Sequence, residues 1–129
     1  MTALTAASLR DACLELNGAE ETFPFGPETS VFKVGGRMFA LSALDARPLS
    51  VSLKCDPGLA VSLRGSYPEI TGGWHLNKRH WNSVRLDGSV PERLVREMIE
   101  DSYDLVVAKL PRAIQLRLDW PGAARPAGS

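Results

Sequence analysis

The spacing of apolar residues along the chain predicts an amphipathic helix from Thr5 to Asn17 as the first element. One buried face repeats at i, i+3, i+4 and i+7 and consists of Leu9, Ala12, Cys13 and Leu16. Asn17-Gly18 supplies the left-handed residue that commonly ends a helix. Residues 22–27 hold two prolines and a glycine, so we expect an ordered loop there.

Three strands are predicted next. Residues 30–34 and 37–41 have the sequences SVFKV and RMFAL and flank Gly35-Gly36, a pair that tolerates the positive φ of a tight hairpin. A third strand is predicted from Leu49 to Lys54. This part of the chain therefore predicts a β-meander.

The second half predicts a helix, two strands and a long helix. Asp56-Pro57 favours a helix start, and the short helix should end near Gly65, before turn-rich residues 67–73. Residues 75–86 are interpreted as two strands, because Asn82, Val84 and Leu86 alternate with their neighbours. Ser89 and Glu92 form a capping-box pattern for a helix that reaches about Leu110.

The order α-β-β-β-α-β-β-α predicts an α+β fold with a single antiparallel sheet of about five strands and helices on one face. We expect residues 1–118 to form this one domain and residues 119–129 to be a flexible tail.

Composition supports an ordinary globular domain: 129 residues, 44% of them hydrophobic, can bury a core without a disulfide. No apolar run approaches the roughly 20 residues that span a bilayer. We therefore expect a cytoplasmic protein with no membrane partner, and we expect Cys13 and Cys55 to be reduced and buried.

The net charge is zero, with 15 basic and 15 acidic residues, so any binding to nucleic acid would need positive charge to be concentrated locally. Strand alternation predicts such a sheet face, opposite the helices and free of carboxylates, formed by Lys33, Ser52, Lys54, Trp81, Ser83 and Arg85. The preceding segment adds Lys78, Arg79 and His80. Cations beside aromatic rings suit phosphates and bases, although an open sheet face must be polar in any protein.

Patterns for catalysis and metal binding are missing from the sequence. His75 and His80 are five residues apart with no cysteine or carboxylate between them, which matches no zinc or iron motif. No serine has a triad signature, and Gly35-Gly36 lies in a hairpin and not in a phosphate loop. We therefore predict no enzyme activity, no cofactor and no metal.

Several motifs together resemble the MmcQ/YjbR-like family across about Leu9 to Leu110. They are Pro24-Phe25-Gly26, Val31-Phe32-Lys33-Val34, Phe39-Ala40-Leu41, Leu53-Lys54, His75-Leu-Asn-Lys78-x-His80-Trp81-Asn-Ser-Val84 and Ser102-Tyr103-Asp-Leu-Val106. The resemblance implies a sheet packed against helices, related to secretion-chaperone-like and frataxin-like folds. It also implies DNA binding, with no assigned reaction or cofactor.

The leading hypothesis is a non-catalytic DNA-binding or DNA-associated regulatory domain. Its predicted contacts to the phosphate backbone are Lys33, Lys54, Lys78, Arg79, His80, Trp81 and Arg85. One alternative is a protein-interaction or chaperone-like module, or a homodimer, with Phe23, Phe25 and Tyr67 in an apolar contact surface. Another is a small-molecule binder that uses His75 and His80.

Overall fold

The computed structural model describes residues 4–73 and 76–124. Its strands are β1 (Glu20–Thr22), β2 (Ser30–Val34), β3 (Arg37–Ser42), β4 (Ser50–Lys54), β5 (Ile70–Gly72) and β6 (Trp81–Arg85). Its helices are α1 (Ala6–Leu14), α2 (Pro57–Ser66), α3 (Glu92–Val107) and α4 (Arg112–Arg117), followed by a 3-10 turn at Pro121–Ala124.

The strands form one antiparallel sheet in the order β1-β2-β3-β4-β6-β5. Helix α3 packs on β2, β3 and β4, α2 packs on β5 and β6, and α1 packs against α3. Leu53 and Asn82 are opposite each other and both line a small space beneath α2 and α3. The α+β class, the single antiparallel sheet and the helix-covered face are thus confirmed.

Local sequence explains most of the element boundaries. At the start of α1, the side chains of Thr5 and Ser8 each accept a hydrogen bond from the backbone amide of the other residue. At the start of α2, Asp56 Oδ2 accepts the amide of Leu59 at 3.2 Å. Gly35 and Gly36 have φ of 57° and 80°, as the predicted hairpin needs.

The sheet has six strands and not about five. Strand β1 ends at Thr22, the first residue of the predicted proline-rich loop, and β5 lies inside the segment predicted to be turns. Each has only three residues, too few to show a period of two. Of the two strands predicted for residues 75–86, only β6 forms among the described residues, because Asn77–His80 folds into a turn in which Asn77 O accepts the amides of His80 and Trp81. His75 lies outside the described residues.

The end of the chain and the start of α3 also differ from expectation. No side chain caps α3, because its N-cap residue is Pro91 and not Ser89, whose amide donates to Asp87 Oδ1 at 3.0 Å. Helix α4 was not predicted from the sequence. The folded part extends past residue 118, since Trp120 Nε1 donates to Asp104 Oδ1 at 3.0 Å and Ala123 is buried. Residues 125–129 of the expected tail lie outside the described part.

Ser102 joins α3 to the sheet and provides a test of the packing. Its buried hydroxyl donates to Phe39 O at 2.6 Å and accepts the Lys54 amide at 2.9 Å. Ser102→Ala leaves both backbone groups without this partner, so we expect the free energy of unfolding to fall by about 1–3 kcal/mol in urea denaturation. Ser62→Ala, on the exposed side of α2, is the control; equal losses in the two variants would refute this role for Ser102.

Candidate nucleic-acid interface

The alternation predicted for β4 and β6 is present. Ser52 is opposite Ser83 and Lys54 is opposite Trp81, and the two serine hydroxyls are 2.8 Å apart. Asn82 points the other way, because its side chain donates to Ala60 O in α2 at 3.3 Å. Lys54, Trp81, Ser83 and Arg85 therefore share the sheet face that lies away from the helices, called the outer face below.

Trp81 cannot serve as a stacking platform in this conformation. Only 9% of its surface is exposed. The Gly73 amide donates to Trp81 O at 2.9 Å, and a Cβ on Gly73 would lie 2.8 Å from Trp81 Cβ. The tryptophan is therefore a packed anchor, which corrects the expectation of an aromatic ring open to bases.

The outer face is not free of carboxylates, contrary to the sequence prediction. Arg85 pairs with Asp87 at 2.8 Å and with Glu69 at 3.8 Å. Lys33 lies opposite Glu20, which β1 brings to the same face. Arg85 is thus neutralised by two carboxylates, whereas Lys33 has a carboxylate on the neighbouring strand but forms no ion pair with it.

Lys78 lies elsewhere. A Cβ on Gly72 would be 2.9 Å from Lys78 Cγ, and Gly72 is opposite Asn82, so the Lys78 stem crosses β5 on the helix side. Arg79 is exposed, and its amide donates to Asn77 Oδ1 at 2.9 Å. His80 is half-buried, with its carbonyl accepting the Cys55 amide at 2.7 Å. The structure therefore separates the predicted residues into two surfaces.

Four cationic residues lie on or directly beside the turn at residues 77–80, although Lys54 is on the outer face and the Lys78 stem is on the helix side. Arg64 at the end of α2 donates to Lys78 O at 2.8 Å and to Asn82 Oδ1 at 2.9 Å. Lys54 directly precedes Cys55, whose amide donates to His80 O. None of the ion pairs between described residues uses these cations. We call Lys54, Arg64, Lys78 and Arg79 the basic end.

Sequence reasoning missed Arg64. The signal was a basic residue in the last turn of α2, directly after buried Leu63. Such a residue is also typical of an ordinary helix C-terminus. Only the tertiary contact with the loop carbonyl of Lys78 assigns it to this cluster.

The Arg85–Asp87 pair predicts a measurable titration. The Ser89 hydrogen bonds first, and then Arg85, lower the pKa of Asp87 from 3.8 to about 2. Because the folded pKa is lower, the stabilisation is complete above about pH 4 and is lost as the pH falls through about 2. Arg85→Ala should raise the Asp87 pKa part of the way in an NMR titration, with Arg93→Ala as control; an unchanged Asp87 pKa would contradict the pairing.

The three residues predicted to form an apolar protein-interaction surface do not all lie together. Phe23 and Phe25 are 51% and 66% exposed and follow edge strand β1, whereas Tyr67 is half-buried against the core. Thr22, just before Phe23, lies opposite Val31, toward the strand end away from Lys33. The two phenylalanines are therefore separate from the basic end.

Within residues 4–73 and 76–124, no group of three or more His, Cys, Asp or Glu side chains is arranged to hold a metal ion. The helices in these ranges include none long and apolar enough to cross a bilayer. Of the two histidines predicted to bind a small molecule, His80 is described by the structure and His75 lies outside these ranges.

Comparison with known proteins places the chain in one family. The family model YjbR matches residues 14–105. YbdF of Escherichia coli O157:H7 is 42% identical over 81% of this chain and 86% of its own length. YjbR of Escherichia coli strain K12 is 35% identical over 84% of this chain and 92% of its own length. Both relatives are named as uncharacterized proteins, so the likeness carries no activity.

A solved structure supports the same assignment. The crystal structure of Deinococcus radiodurans protein DR2400, with the family-model domain DUF419, has a TM-score of 0.85 and 44% sequence identity, and the match covers 97% of this chain and 94% of that one. The resemblance inferred from the sequence motifs is thereby confirmed, and the chain belongs to the YjbR family.

Proposed function

We propose that this chain is a cytoplasmic, non-catalytic DNA-binding protein that contacts phosphates through the basic end. The observation that carries the proposal is the grouping of Lys54, Arg64, Lys78 and Arg79 around one turn, with no ion pair to a described carboxylate. Cations that form no internal ion pair can neutralise phosphates and release counterions.

The residues of the proposed DNA contact differ from those that the sequence hypothesis named. Trp81 is packed and Arg85 is paired twice, so these two contribute little. Lys33 is on β2, which β3 and β4 separate from β6 and the turn. Arg64 joins the set, and His80 remains at its margin. Among the elements that the structure describes, no helix or strand belongs to a recognised base-reading motif, so we expect binding without sequence preference.

Fluorescence anisotropy with labelled single- and double-stranded DNA over a range of salt tests the proposal. If the four cations contact duplex phosphates, the logarithm of the association constant should fall with the logarithm of salt at a slope of about −3 to −4. Absence of binding even at low salt would refute the proposal.

A second candidate, a protein-interaction module, is favoured by Phe23 and Phe25. Two neighbouring phenylalanines at 51% and 66% exposure beside an edge strand are unusual on a surface without a partner. Sedimentation over a range of protein concentrations, comparing wild type with Phe23→Ser/Phe25→Ser, tests for self-association. A monomer at every concentration would rule out a homodimer through this surface.

A further inference from the structure

The largely apolar groove between α2 and α3 adjoins the basic end at Cys55 but shares no lining residue with it, and it has no assigned role. It has a volume of about 290 Å³ and is lined by Cys55, Asp56, Leu59, Asp101, Asp104, Leu105 and Ala108. Leu59, in the first turn of α2, is 43% exposed at this groove. Water therefore contacts an apolar surface that a ligand could cover.

Three carboxylates surround this apolar surface. None of Asp56, Asp101 and Asp104 belongs to an ion pair between described residues. Asp56 accepts the Leu59 amide and Asp104 accepts Trp120 Nε1, but neither donor carries a formal charge. The groove thus combines an apolar floor with uncompensated negative charge.

Burial and the negative charge in the groove raise the pKa of two of its own side chains, Asp101 and Cys55. Burial, with the carboxylates of Asp104 and Glu97 nearby, raises the pKa of Asp101. Burial and then Asp56 and Asp101 raise the pKa of the half-buried Cys55 thiol, against the opposing effect of Arg64. The thiol is therefore disfavoured as a nucleophile, and an added cation would relieve the repulsion among the carboxylates.

We propose that this groove binds a small aliphatic amine, whose alkyl chain lies on Leu59, Leu105 and Ala108 and whose ammonium group meets Asp101 and Asp104. Charge complementarity selects a cation, and the apolar floor selects one with a hydrocarbon body. The volume is at the lower end of the roughly 300–1,000 Å³ typical of small-molecule sites, which favours a small ligand. The site does not depend on the DNA-binding proposal, because it involves none of the basic-end residues.

Matched probes that differ in their head group test the inference. Hexylamine hydrochloride, hexanol and sodium hexanoate are titrated at millimolar concentrations into isotope-labelled protein, and amide chemical shifts are followed by NMR. Hexylamine should shift Cys55, Leu59 and Leu105 with saturation, while the neutral and anionic probes should bind several-fold more weakly. Equal binding of hexanol would show an apolar site only and would overturn the proposal.

Matched variants test the carboxylates. Asp101→Asn/Asp104→Asn should weaken hexylamine binding about five-fold or more. Glu100→Gln/Asp119→Asn removes the same charge from residues that line the cavity beside α1 and α4, and it should change the affinity less than about two-fold. If both variants lower the hexylamine affinity equally, the amine responds only to the overall negative charge of the protein, and the proposal is overturned. So would a concentration-dependent dimer that covers Cys55 and Leu59.

Discussion

Replacing Phe39 by alanine is expected to lower the free energy of unfolding by about 3–5 kcal/mol. Phe39 is fully buried on β3, and its ring meets Tyr103 of α3 edge to face, with centroids 5.6 Å apart and planes at 89°. The substitution removes apolar contacts and leaves a cavity where the sheet meets its longest helix. Urea denaturation followed by circular dichroism measures the loss.

Phe25→Ala is the matched control, because it removes the same atoms from a ring that is 66% exposed. Its unfolding free energy should change by less than about 0.5 kcal/mol. A similar loss in both variants would mean that Phe25 is covered in solution, and it would contradict the burial pattern.

The double substitution Lys78→Ala/Arg79→Ala should have the largest effect on DNA binding. Each lost phosphate contact reduces the salt slope by about 0.9, so two lost contacts should make the slope shallower by about 1.8 and weaken binding about 60-fold at 0.1 M salt. Fluorescence anisotropy against salt gives both quantities.

The control is Lys109→Ala/Arg112→Ala, which makes the same change in net charge. Both residues are exposed after the end of α3 and share no ion pair with the described carboxylates. Its slope should stay near that of wild type. If the two doubly substituted proteins lose affinity equally, DNA responds to the overall charge of the protein and not to the basic end.

Local patterns predicted those parts of the fold that local chemistry decides. The apolar stripe of α1, the proline and Asp56 cap of α2 and the Gly35-Gly36 hairpin each carry their signal within a few residues. Strands β1 and β5 were missed because three residues show no periodicity and form only through their pairing with β2 and β6.

The candidate site was predicted only in part, because residues distant in sequence determine which of its side chains are packed or lie beside a carboxylate. Alternation correctly assigned Lys54 and Arg85 to the outer face, but the missed strand β1 brings Glu20 opposite Lys33, and Glu69, just before β5, reaches Arg85. The burial of Trp81 depends on its packing against Gly73, and nothing within the strand sequence indicates it. The Arg85–Asp87 pair is close in sequence, but the contact of Arg85 with Glu69 and the position of Glu20 opposite Lys33 arise only from strand pairing.

Amide chemical-shift mapping with a short DNA duplex tests most directly the claim that the basic end meets phosphates. The account predicts the largest shifts at Lys54, Arg64 and residues 77–80, with little change at Thr71 and Ser83 on the outer face. Shifts confined to Thr71, Ser83 and Arg85, or to Phe23 and Phe25, with residues 77–80 unaffected, would contradict it.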